Sequence, residues 1–141
     1  MTADPPAAQE HILPVVDDLD TGGFWTATSQ RRLAVNVCRQ CGHVLHLPRN
    51  YCSYCSSWGS EWKECSGRGR IYSMTTVEQT INPLMPAPYT LLLVELADHP
   101  EVRLIGQLRG PTGLNVGDEV AVEFEAVAPD VVLPQWRAVS T

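Results

Sequence analysis

Four of the five cysteines stand in two Cys-x2-Cys pairs, Cys38 with Cys41 and Cys52 with Cys55, ten residues apart. Each pair can wrap a tight turn that aims both sulfurs at one ion. Four thiolates then close a tetrahedral shell, which is how structural zinc is held, with no position left for water. The same ligands suit a single iron; zinc is the expectation. Gly42 follows Cys41, where a positive φ relieves the knuckle, and Ser56 takes that place at the second pair. Redox chemistry at the pairs is not expected, because neither sits between a strand and a helix in a βαβ unit. Cys65 has no partner and reads as a small half-buried hydrophobe at the start of a strand. His43 and His46 read as turn or surface residues, since four cysteines suffice.

No other constellation of reactive residues stands out. The chain lacks a phosphate-binding glycine loop, a GxSxG elbow and an HExxH helix. His99 sits in a proline-containing turn and reads as solvated. The net charge of −6 disfavours a general nucleic-acid binder. Nine of the ten basic residues are arginine, six of them between Arg31 and Arg70. That segment is either solvated surface or a phosphate-facing patch, because guanidinium forks match phosphate oxygens. The apolar, proline-rich connector from Ile81 to Tyr89 and the Leu133–Arg137 segment read as contact surfaces or as chain folded back on its own core.

The elements that must position these residues are mostly strands. At 141 residues, 44% hydrophobic and 18% charged, the chain has the composition of a soluble globular protein. No apolar run approaches the ~18–20 residues that span a bilayer, Met1 to Glu10 lack a signal-peptide pattern, and the expectation is cytoplasmic. Residues 1–20, with Pro5, Pro6 and Pro14, read as a flexible or docking arm. A short helix is expected from about Thr21 to Arg32, capped by Thr21 or Asp20, followed by a short strand over Leu33–Val37. The helix and ribbon are assigned to residues 21–65 and a barrel to 66–141. Barrel strands are expected at Gly69–Glu78, Thr90–Ala97, Val102–Arg109, Glu119–Val127 and around Trp136–Val139. In the fourth, Val120, Val122, Phe124 and Ala126 share one face. Turns at Asp98-His99-Pro100, Gly110-Pro111-Thr112-Gly113 and Gly117-Asp118 separate them. Five short strands with little helix favour a Greek-key barrel of the oligonucleotide/oligosaccharide-binding (OB) type. Gly106 inside a strand fits a bend or close approach.

Taken in order, several short stretches carry a family resemblance. They are Phe24-Trp25, the Cys38-to-Gly42 knuckle, Leu47-Pro48-Arg49, Glu61-Trp62, Ser66-Gly67-Arg68-Gly69 and Ile71-Tyr72-Ser73. Pro88-Tyr89, Val94-Glu95-Leu96, Gly117-Asp118-Glu119-Val120 and Leu133-Pro134 continue the series. This set resembles the DUF35 family, small acyl-CoA-associated proteins that join a rubredoxin-like zinc ribbon to an OB-fold. Ser53, where proline is common, and Cys65 depart from the pattern without touching the metal site. The resemblance implies a mainly β fold: an N-terminal helix and rubredoxin-like zinc ribbon, then a five-stranded OB-fold barrel. It implies a non-catalytic accessory subunit of a thiolase-fold acyl-CoA enzyme. Such partners include lipid-transfer-protein-like aldolases of steroid side-chain degradation, thiolases and acyltransferases.

Structural zinc would be held by Cys38, Cys41, Cys52 and Cys55, and acyl-CoA would be the substrate of the complex. Arg49, Arg68 and Arg70 are then candidates for CoA phosphates. Pro83, Leu84, Met85, Pro86, Tyr89 and Trp136 are candidates for the partner or the acyl portion. The alternative is a single-stranded nucleic-acid module, since ribbons and OB-folds also serve single strands.

Overall fold

The fold is that of a computed structural model, which describes residues 11–139. The first half of the expected N-terminal arm, residues 1–10, lies outside the described residues. Ahead of the helix, the Asp18 carboxylate accepts the N–H groups of Asp20 (2.9 Å) and Thr21 (3.1 Å), an Asx turn that starts the chain curling. Helix α1 runs Gly22–Ser29, and Thr21 makes no side-chain cap. It is shorter than the Thr21–Arg32 expectation because Arg31 takes a left-handed φ of 57°. Arg32 N–H donates to Ala27 O (2.9 Å) and Arg31 N–H to Thr28 O (2.9 Å), the paired bonds of a Schellman stop. The Arg31 guanidinium then reaches Phe124 O at 3.2 Å, tying the helix end to the barrel.

The ribbon follows. Strand β1 (Leu33–Cys38) pairs antiparallel with β4 (Ser60–Cys65), from Leu33 opposite Cys65 to Cys38 opposite Ser60. Between them β2 (Tyr51–Cys52) and β3 (Ser57–Trp58) form a minimal hairpin. Strand β4 was not among the expected strands. Its residues alternate charge with Trp62, and only the pairing with the fully buried β1 explains its extended form. Gly23 belongs to this contact. A Cβ there would lie 2.0 Å from Trp62 Nε1, so a glycine that is weak in a helix lets α1 rest on β4.

The second half is a closed five-stranded barrel of β5 (Arg68–Val77), β6 (Tyr89–Leu96), β7 (Arg103–Arg109), β8 (Glu119–Ala128) and β9 (Val131–Ala138). The strand order is β5-β6-β7-β9-β8, with β7 and β9 parallel and the other neighbours antiparallel. The expected final strand around Trp136 is longer in the structure. Pro134 is accommodated because β9 pairs with β7 only at Trp136 and Arg137, so before that its ladder runs on one edge. Ala126 is exposed rather than inward, because a register shift between Ala126 and Ala128 breaks the alternation.

The core joins both halves. Leu33, Val35 and Val37 of β1 belong to one buried cluster with Ile71, Leu92, Val94, Leu96, Val102, Val120 and Trp136 of the barrel. The ribbon's first strand is therefore part of the barrel's hydrophobic core, whereas the metal site has only Cys38, Leu45 and Cys52 as its own cluster.

Candidate metal centre and neighbouring surfaces

The two knuckles are built alike. Gly42 N–H donates to Cys38 O (3.0 Å) and Ser56 N–H to Cys52 O (2.8 Å), and both residues carry positive φ, 77° and 59°. Ser56 thus adopts the left-handed position that Gly42 takes more cheaply. The four sulfurs lie within 4.8 Å of one another. Cys38 and Cys55 stand 3.6 Å apart, as do Cys41 and Cys52. Those separations are too long for disulfides and near the ~3.8 Å edge of a tetrahedron with metal–sulfur bonds of ~2.3 Å.

Electrostatics agree with a cation-binding cluster. The Cys38 thiol is pulled down to about 6, chiefly by the N–H of Cys41, which points at its sulfur from 3.5 Å. At Cys41 the His43 N–H favours the thiolate, yet burial and the crowding thiols push it up to about 12. Four crowded thiols cannot all ionise beside one another, whereas a divalent cation at their centre offsets the repulsion. The residues fit a structural metal, with two sulfurs buried and two at the surface.

A buried amide supports the site. Asn36, on β1, donates to Ser60 Oγ (3.0 Å) and accepts Arg49 N–H (3.3 Å). Asn50 Oδ1 takes Ser60 N–H (3.1 Å). These bonds fasten the loop between the knuckles to the β1–β4 pair, and no sequence pattern announces them. Cys65 behaves as read: half-buried, with its thiol donating to Leu33 O at 3.3 Å, and raised mainly by burial. His43 is exposed just past the first knuckle, as a turn or surface residue. Its Nδ1 lies 3.2 Å from Cys41 Sγ.

The candidate arginines do not form one cluster. Arg49 bonds Ser53 Oγ on the ribbon (3.0 Å). Arg70, on β5, is shared with Glu119 at 3.2 Å and Gly117 O at 3.3 Å. Arg68 lies with Arg70, Glu95 and Glu119 along a groove of about 370 Å³, so its surroundings carry acid as well as base. The structure does bring Leu84, Met85, Pro86 and Tyr89 together. They line a groove of about 480 Å³ on the outer barrel wall together with Leu91, Ile105 and Leu133. Pro83 is exposed and outside it. Trp136 needs correction as a contact residue. It is 1% exposed, in the barrel core, where Gly106 leaves room for its ring; a Cβ there would sit 2.8 Å from Trp136 Cδ1.

Comparison with known proteins places both halves. Residues 25–58 match the ChsH2 rubredoxin-like zinc ribbon domain family, and residues 62–125 match the ChsH2 C-terminal OB-fold domain family. A probable enoyl-CoA hydratase alpha subunit of Thermomonospora curvata is 32% identical over 117 residues, 81% of this chain. The chain spans only 36% of that relative's length. A DUF35 domain-containing scaffold protein of Methanothermobacter thermautotrophicus is 32% identical over 113 residues, 77% of this chain and 84% of the relative. Among solved structures, a chain of an Ltp2-ChsH2(DUF35) aldolase superposes with a TM-score of 0.81 at 28% identity. The match covers 89% of this chain and 98% of that one. A DUF35 protein of unknown function from Sulfolobus solfataricus shares the fold, with a TM-score of 0.57 at 16% identity. With a cysteine quartet on a ribbon, a closed OB barrel behind it and these relatives, the chain belongs to the DUF35 family.

Proposed function

We propose that this chain is a non-catalytic accessory subunit of a thiolase-fold acyl-CoA enzyme, an aldolase, thiolase or acyltransferase, that stabilises its partner and helps form the acyl-CoA site. The observation that carries the reading is the superposition along 98% of a chain from an aldolase complex. A metal cluster whose four cysteines complete the shell favours a supporting role, since a closed tetrahedral site has no place for substrate or water. In this reading the metal is zinc, held by Cys38, Cys41, Cys52 and Cys55, and it shapes the ribbon. The outer-wall groove, with Leu84, Met85, Pro86 and Tyr89, meets the partner or the acyl portion, with Pro83 at its margin. Arg49, Arg68 and Arg70 are assigned to CoA phosphates; Arg70 must exchange its Glu119 pair for them.

The experiment is co-expression with a thiolase-like enzyme from the same genome. A stable mixed oligomer whose acyl-CoA activity needs both chains is expected. Full activity of the partner alone, or acyl-CoA turnover by this chain alone, overturns the proposal. Replacing Arg68 by alanine in that complex is expected to raise KM for the CoA ester without lowering expression.

A further inference from the structure

The metal site has an unequal face. Cys38 and Cys52 are buried, while Cys41 and Cys55 are at the surface. Ligand exchange at a closed thiolate site begins at a sulfur that solvent, protons or a competing chelator can reach, so the exposed pair is where the ion is lost. Over that face lie two rings. His43 follows the first knuckle and Tyr54 lies inside the second. The rings stack with centroids 4.2 Å apart and planes 7° from parallel. His43 Nδ1 is 3.2 Å from Cys41 Sγ. A thiolate bound to a cation carries no proton, so the hydrogen of this contact sits on Nδ1 and the ring donates to sulfur.

We propose that His43 and Tyr54 form a clamp over the exposed face that retains the metal ion, His43 by hydrogen-bonding the Cys41 thiolate and Tyr54 by holding the imidazole in place. Both are positioning residues and neither ligates. The donated hydrogen bond draws charge from Cys41 Sγ and lowers its reactivity toward protons and chelators. The stack spans the knuckles from outside, as the ion spans them from inside, so the knuckles part less readily. Groups that orient and polarise a metal's ligands typically change affinity by about 10–100-fold when removed. Tyr54 is 64% exposed, so its ring contributes little to the core, and its position is accounted for by the stack.

The inference rests on the quartet holding zinc, and the test separates the two. Zinc content of the purified full-length chain is measured first. Release to excess 4-(2-pyridylazo)resorcinol is then followed by absorbance, with thermal midpoints recorded for every variant. His43→Leu and Tyr54→Ala are expected to release zinc about tenfold faster. Tyr54→Phe, which keeps the ring, should match the native chain. His43→Asn places an amide N–H where Nδ1 stands and should recover most of the loss seen in His43→Leu. In the cobalt-substituted protein the sulfur-to-cobalt band should shift in His43→Leu and return in His43→Asn.

Ser60→Ala loosens the ribbon without touching the rings. Release rates that follow thermal midpoints alone across all variants, Ser60→Ala included, overturn the clamp. Identical rates in His43→Leu and His43→Asn overturn the hydrogen bond. A native chain that binds neither zinc nor cobalt overturns the metal reading itself.

Discussion

Replacing Cys52 by serine removes a thiolate that is 0% exposed and shares a small buried cluster with only Cys38 and Leu45 among the described residues. Apart from the metal, the apolar anchor of the knuckle region is essentially one leucine, and burying such a side chain contributes about 1.5–3 kcal/mol. Zinc in small ribbon modules supplies roughly 10–16 kcal/mol of apparent folding free energy. Loss of a ligand therefore removes several times what the local core can offset, and β2 and β3, two residues each, cannot hold the hairpin alone. The damage has a boundary, because Leu33, Val35 and Val37 are packed into the barrel cluster. Hydrogen exchange read by mass spectrometry should show Cys52→Ser, or the chelator-treated native chain, losing protection from about residue 39 to residue 59. Residues 33–38 should keep partial protection and β6, paired on both edges with Leu92, Val94 and Leu96 in the core, nearly all. Native-like protection across the knuckles in Cys52→Ser would refute the claim that the metal holds them. Complete loss over residues 33–38 would refute the shared core.

Gly106→Ala puts a Cβ 2.8 Å from Trp136 Cδ1 and 3.1 Å from Pro134 O, and the overpacking should cost about 1–3 kcal/mol, read from urea midpoints. Asn36→Ala leaves Arg49 N–H and Ser60 Oγ without their buried partner; it should destabilise the ribbon by about 1–3 kcal/mol and speed exchange over residues 45–60 more than in β6. The Asp98 carboxyl is held below its ordinary value, first by the Ser66 hydroxyl and then by the Ser66 N–H. A depressed folded pKa gives stability present above the unfolded value and lost as pH falls through the folded one, so thermal midpoints should drop below about pH 4. Asp98→Asn should flatten that drop, and an unchanged profile contradicts a stabilising role for the bonds from Ser66 to the Asp98 carboxylate. With a net charge of −6, the chain should show no salt-dependent binding to single-stranded oligonucleotides; retention at low salt that fades as salt rises would revive the nucleic-acid reading.

The cysteine quartet and the five barrel strands were legible in the sequence because each rests on local spacing, and the family was legible as a resemblance carried by short stretches in order along the chain. Two Cys-x2-Cys pairs need no distant partner to be recognised, and alternation with turn residues marks a strand wherever it occurs. Strand β4 was not legible, since its residues are mostly polar and become a strand only against β1. The same holds for Trp136. Beside Pro134 it read equally well as a surface contact or as core, and the choice depended on a glycine thirty positions earlier meeting it across the barrel. Gly23, a weakness for a helix in sequence, is explained by Trp62.

What the sequence determined by itself, then, is the chemistry of the quartet and the class of fold, both set by residue type and near-neighbour spacing. Tertiary structure alone decided which of the outlying candidates share a surface. It gathered Leu84, Met85, Pro86 and Tyr89 at one groove, set Arg49 on the ribbon apart from Arg68 and Arg70, and withdrew Trp136 into the core. It also laid His43 and Tyr54 over Cys41. The physical reason is that barrel closure and the pairing of β1 with β4 fix contacts between residues far apart in the chain, and no local pattern encodes such contacts.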